Sequence, residues 1–112
     1  MKQDDAIDAF SALAHETRLA VFRLLVREGP GGVPALEIAR RLDAKPSTLS
    51  GHLAVLKRAG LVSATRRQKE ILYAPNFGSV DALVRFLLED CCGGDAAACG
   101  SLPSIAGAGA EP

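Results

Sequence analysis

Apolar residues recur at helical spacing in five stretches of the chain and alternate in only two. In the first stretch, Asp4 to Ala14, Ile7, Phe10 and Leu13 share one face and small alanines lie between them, which predicts a short helix. A second helix is predicted from His15 to Arg27 on Leu19, Phe22, Leu25 and Val26, and Glu28-Gly29-Pro30-Gly31-Gly32 ends it in a loop. Ala35 to Leu42 reads as a brief third helix carrying Leu36, Ile38, Ala39 and Leu42. After the turn Asp43-Ala44-Lys45, Pro46 suits the first position of a fourth helix, where its missing N–H costs no intrahelical bond. That helix runs to about Ala59, buries Leu49, Leu53 and Leu56, and ends at Gly60 as a left-handed cap. Leu61 to Ala64 and Ile71 to Ala74 read as the strands of a hairpin with Thr65-Arg66-Arg67-Gln68-Lys69-Glu70 as its polar tip. A last helix, Ser79 to Glu89, places Val80, Leu83, Val84, Leu87 and Leu88 on one stripe.

The order helix, helix, helix-turn-helix, hairpin, helix predicts a mainly α fold with a β-hairpin, a winged helix-turn-helix with an extra helix at each end. Residues 1–90 form one such domain and 91–112 a cysteine-bearing tail rich in Gly and Ala. The 112 residues are 48% hydrophobic but include only four Phe, one Tyr and no Trp, so the core is aliphatic and small, and a second copy of the chain is expected to cover part of it.

Formal net charge is zero, yet the charges are not evenly spread. Between Arg40 and Lys69 lie Arg40, Arg41, Lys45, Lys57, Arg58, Arg66, Arg67 and Lys69 against one acid, Asp43. A basic middle within a neutral chain fits a face for double-stranded DNA. The outer side of the fourth helix offers Lys45, Ser47, Thr48, Ser50, Gly51 and His52, small polar groups that can approach base edges or phosphates in a major groove. No Asn or Gln is present there for bidentate reading of adenine, and no Arg projects from its first two turns, so direct base readout is expected to be sparse. Arg66, Arg67 and Lys69 at the hairpin tip are placed to reach backbone or minor groove.

Three cysteines, Cys91, Cys92 and Cys99, stand just beyond the last helical stretch. The opening Met1-Lys2-Gln3-Asp4-Asp5 carries no apolar signal segment and no apolar run reaches about 18 residues, so a cytoplasmic protein with reduced thiols is expected, and no membrane partner. There, three thiolates on one segment point to a soft ion or to redox chemistry rather than to a disulfide framework. Adjacent helical residues point about 100° apart, so Cys91 and Cys92 face one ion only if the helix ends there, which Gly93-Gly94 permits. A thiol-based reductase is disfavoured. The chain has no Cys-x-x-Cys, no Arg follows a cysteine, and His15 and His52 are remote from all three.

Three stretches carry a family resemblance: Leu13-Ala14-His15-Glu16-Thr17-Arg18-Leu19, Ser47-Thr48-Leu49-Ser50-Gly51-His52-Leu53 and Leu56-Lys57-Arg58-Ala59-Gly60-Leu61-Val62. Together they resemble the ArsR/SmtB family of metal-responsive repressors, over roughly Asp5 to Cys99. The resemblance implies a homodimer built by the first and last helices, bound to an imperfect palindromic operator and released by a ligand. It carries DNA contacts onto Ser47, Thr48, Ser50 and His52, although His52 can equally orient the helix through a buried hydrogen bond. The chain departs from the usual pattern in having no cysteine on Ala35-Leu36-Glu37-Ile38-Ala39, no His after His52 for a zinc site on the last helix, Gly51 in place of a bulkier residue, and Lys45 at a capping position usually held by Ser. The Cys-Cys-Gly-Gly tail instead resembles the branch that senses trivalent arsenic. As(III) and Sb(III) favour three sulfurs in a pyramid, whereas zinc and cadmium usually want four ligands. The expected effector is therefore arsenite, or Sb(III), on Cys91, Cys92 and Cys99. Zinc or cadmium completed by Asp90, Asp95 or water, and oxidation through Cys92 and Cys99, remain the alternatives.

Overall fold

The computed structural model describes residues 1–89, in the order α1 (Gln3–Leu13), α2 (Glu16–Glu28), β1 (Val33–Pro34), α3 (Ala35–Leu42), α4 (Pro46–Arg58), β2 (Val62–Arg67), β3 (Glu70–Pro75) and α5 (Phe77–Leu87). The winged helix-turn-helix expected from the sequence is present. Cys91, Cys92, Cys99 and the tail lie outside the described residues.

The sheet has three strands rather than two, in the antiparallel order β1-β3-β2. Val33 pairs with Tyr73 and Pro34 with Leu72, between the expected loop that ends at Gly32 and the helix that starts at Ala35. A two-residue strand is too short to display an alternating pattern. Gly32 admits it: its φ is +85°, and a Cβ there would lie 3.1 Å from the Cβ of Leu72. The hairpin is also longer than expected. Thr65 pairs with Leu72, Arg66 with Ile71 and Arg67 with Glu70, leaving a two-residue turn of Gln68 and Lys69 in which Gln68 takes φ +57°. The polar run read as a loop is strand exposed to water.

The core is drawn from all five helices and the base of the sheet: Val21, Leu25, Ile38, Leu49, Leu53, Leu56 and Leu61 are almost wholly enclosed. On α4 the apolar spacing holds as read, with Leu49, Leu53 and Leu56 all buried. On α1 it inverts. Ala6, Ala9 and Ala12 face the body, where a small side chain lets α1 lie close to α2 and α4, while Ile7 and Phe10 are 51% and 42% exposed. Helix α2 buries Val21, Phe22, Leu24 and Leu25 but leaves Leu19 and Val26 exposed, and Leu36 of α3 is 72% exposed.

Helix α5 starts at Phe77, two residues before the expected Ser79, because Asn76 caps it: the Ser79 N–H donates to Asn76 Oδ1 at 3.2 Å. Of its apolar stripe only Leu83 is buried, Val80 and Phe86 pack partly on the core, and Phe77 and Leu87 are exposed. An open groove bordered by Asp5, Ala9, Arg58, Asn76, Ser79 and Ala82 runs between α1 and α5, so the two incompletely covered helices are neighbours. No helix among the described residues is long and apolar enough to cross a membrane.

Candidate nucleic-acid interface

Helices α3 and α4 form the helix-turn-helix, with Asp43 between them in the left-handed region at φ 51°. The Asp43 and Ala44 N–H groups return to the carbonyls of Arg40 and Ala39, closing the end of α3 and fixing where α4 begins. Pro46 opens α4, and its N-cap residue, Lys45, supplies no side-chain acceptor. The first-turn N–H groups of Ser47 and Thr48 therefore keep no side-chain partner. With Lys45 beside them they form a small electropositive end suited to a phosphate.

Lys45, Ser47, Thr48 and Ser50 are all exposed, on the side of α4 away from Leu49, Leu53 and Leu56. Gly51 has open space around its Cα, so the absence of a side chain leaves room for close approach rather than filling a packed gap. These residues come together as expected. His52 does not join them. It is half-buried on the flank next to the core leucines, with its ring centroid 4.6 Å from that of His15.

His15 was not among the expected site residues. It is the N-cap of α2, and the Thr17 N–H donates to its Nδ1 at 3.1 Å. Beside it the Arg18 Nε donates to the Ala12 carbonyl at 2.7 Å, tying the end of α1 to the start of α2. Desolvation lowers the pKa of His52, and the nearby His15 and Arg18 push it the same way. Nothing local to either histidine announces their contact, because 37 positions separate them in the chain.

In the wing, Arg66, Arg67 and Lys69 are exposed near the turn. Strand alternation sends Arg66 to the face shared with Val62, Ala64, Ile71 and Tyr73, and Arg67 to the opposite face with Ser63 and Thr65. The two arginines therefore leave the wing from opposite faces, with Lys69 in the turn between them.

The basic stretch is less available than its sequence implies. Arg40 and Arg41 both engage Glu37, and Arg41 also reaches Glu28 of α2 at 2.7 Å. The two guanidinium groups hold the Glu37 carboxyl far below its ordinary range, at about 2. This cluster pins α3 to the end of α2 rather than offering free charge. Among the described residues, Lys45, Arg66, Arg67 and Lys69 carry no ion-pair partner. No three His, Cys, Asp or Glu side chains converge on a point that would hold a metal among those residues.

Comparison with known proteins bears on this arrangement. Residues 13–63 match the helix-turn-helix domain family. The transcriptional activator HlyU of Vibrio cholerae is 30% identical over 82 residues, 73% of each chain. The chain belongs to the ArsR family of winged helix-turn-helix transcriptional regulators. The structure of reduced HlyU from V. cholerae superposes with a TM-score of 0.62 at 29% identity, over 80% of this chain and 90% of that one. An ArsR-like transcriptional regulator from Rhodococcus sp. RHA1 gives 0.69 at 25% identity, covering 92% and 93%. The homodimeric winged helix-turn-helix DNA-binding domain of Mb0332 from Mycobacterium bovis, a possible ArsR-family regulator, gives 0.61 at 27%, covering 80% and 82%. The relatives this chain matches are transcriptional regulators with helix-turn-helix domains.

Proposed function

We propose that the protein is a repressor that binds operator DNA as a homodimer and is released when As(III) or Sb(III) binds the thiolates of Cys91, Cys92 and Cys99. The observation that carries the reading is the contrast between a finished DNA-facing helix and an unfinished last helix. Helix α4 has a filled inner face and an uncapped, polar N-terminal end. Helix α5 leaves Phe77 and Leu87 in water, as α1 leaves Ile7 and Phe10, and the cysteines follow Leu87 in the chain almost at once. Each such side chain is worth roughly 1.5–3 kcal/mol on complete burial, which favours pairing of two copies through α1 and α5. The relative Mb0332 is described as homodimeric.

In this reading Ser47, Thr48 and Ser50 enter the major groove, Lys45 and the first-turn amides hold a phosphate, and the wing supplies Lys69 with Arg66 or Arg67. His52 positions α4 from behind. Two recognition helices of a dimer must dock about 34–36 Å apart. Reordering the end of α5 changes how two copies pack and so changes that spacing. The three thiols would hold the ion, and a donor set of three sulfurs without a nearby imidazole suits a pyramidal trivalent centre better than a four-coordinate one.

A second reading, release by thiol oxidation, is favoured by the description of one relative's structure as reduced HlyU. HlyU is also named an activator, so the sign of regulation is tested alongside the trigger. Fluorescence anisotropy of the reduced protein on DNA from its own promoter, titrated with arsenite, zinc or peroxide, separates the readings. Stoichiometric release by arsenite, abolished when all three cysteines become Ser, is the expected result. Release by zinc or only by peroxide replaces the effector, and arsenite release that survives the triple substitution overturns the cysteine site.

A further inference from the structure

The two histidines of the chain come from different elements and meet ring to ring. His15 ends the α1–α2 corner and His52 sits on the inner flank of α4, with centroids 4.6 Å apart and ring planes inclined by 46°. The His15 Nδ1 accepts the Thr17 N–H. That bond fixes the neutral ring with its proton on Nε2, so a further proton must go onto Nδ1. Protonation would therefore remove the acceptor that caps α2 and set a cation against the second imidazole.

Arg18 of α2 stands beside the pair, held by the Ala12 carbonyl. Asp8 of α1 and Arg58 of α4 line a groove with Arg18 that neither histidine borders, so the charge beside the pair is that of Arg18. His52 is already disfavoured as a cation by desolvation, by His15 and by Arg18.

We propose that the His15–His52 pair is a proton-sensitive joint that seats the recognition helix on the α1–α2 corner, so that acidification loosens α4 and weakens binding to the specific operator. The proposal rests on α4 being the DNA-reading helix. The sign follows from linkage. With its folded pKa lowered, His52 contributes stability that is intact above its ordinary value near 6.5 and is lost as pH falls below it. Simple phosphate attraction predicts the opposite, because added positive charge strengthens binding to any duplex.

The test is anisotropy at pH 7.5 and pH 5.5, at constant salt, on the promoter duplex and on a scrambled duplex, with the wild type and His15→Asn. Asn keeps a side-chain acceptor for the N-cap and does not titrate. The wild type is expected to lose about threefold or more in affinity for the promoter duplex on acidification, with no loss on the scrambled duplex. His15→Asn is expected to keep most of that affinity. A titration of the His52 ring by NMR gives an independent readout, and its midpoint should rise in His15→Asn. Equal or tighter promoter binding at low pH, the same loss in His15→Asn, or an unmoved His52 midpoint would overturn the joint. Absence of binding to either duplex at both pH values overturns the DNA-reading role of α4 instead, and the His52 midpoint then decides the coupled pair by itself.

Discussion

Helices α4 and α5 are both amphipathic, but the chain completes only one of them. Leu49, Leu53 and Leu56 of α4 are enclosed by α2, α3 and the sheet, and its opposite face is polar or small. Helix α5 buries Leu83 alone and shows Leu87 at 56% exposure. Helix α5 meets the core through Leu83, with Val80 and Phe86 packed partly against it, and so leaves Phe77 and Leu87 exposed, as α1 leaves Ile7 and Phe10. The comparison separates a part fixed by intrachain packing from a part that the chain leaves open, and the proposed pairing of two copies belongs to the second part.

One substitution applied twice breaks the comparison most sharply. Leu56→Ala removes a wholly buried side chain and is expected to cost about 2–5 kcal/mol in urea unfolding. Leu87→Ala should leave the fold of the subunit intact and act on self-association, read as a weaker dimer by sedimentation. Equal losses of folding stability at the two positions, with no change in association, would mean that α5 is as much a part of the subunit core as α4.

The same contrast explains what was legible in the sequence. Helix α4 could be read residue by residue because it has one apolar face, and the chain's own core covers it. Helix α1 could not, because it carries two apolar stripes. The larger one, Ile7 and Phe10, attracted the assignment, whereas the alanines meet the body. Size alone does not tell which stripe belongs to the chain's own core. The hairpin was placed correctly but shortened, since charge at Arg66, Arg67 and Glu70 marks solvent and not strand ends. Strand β1 was invisible because two residues hold no period. In the interface, Lys45, Ser47, Thr48 and Ser50 followed from the helix register, while the contact of His52 with His15 needed the tertiary fold.

The charge stretch offers a smaller test. Lys45 and Arg40 are both basic and exposed, but Arg40 is held by Glu37 whereas Lys45 has no ion-pair partner among the described residues. If Lys45 neutralises a phosphate, Lys45→Ala should lower the slope of log K against log salt by about 1 on any duplex. Arg40→Ala should leave that slope unchanged. A drop of the same size for Arg40 would show that the Glu37 pair opens to let the arginine reach DNA.

The smallest effect expected lies in that pair itself. Glu37 joins Arg40 and Arg41 at the surface, and Arg41 carries the link to Glu28, so the cluster fastens α3, the scaffold under α4, to the end of α2. The folded pKa of Glu37, about 2, lies below the 4.5 of a free carboxyl. Its contribution is therefore fully present above pH 4.5 and fades as the pH falls toward 2. Solvent and salt screen an exposed pair, so the gain is modest. Wild type should melt slightly above Glu37→Gln at neutral pH and low salt, and the gap should close both on acidification through this window and in high salt. A gap that persisted at the acid end would assign the role of Glu37 to packing or hydrogen bonding that Gln lacks, and α3 would then be anchored by shape rather than by charge.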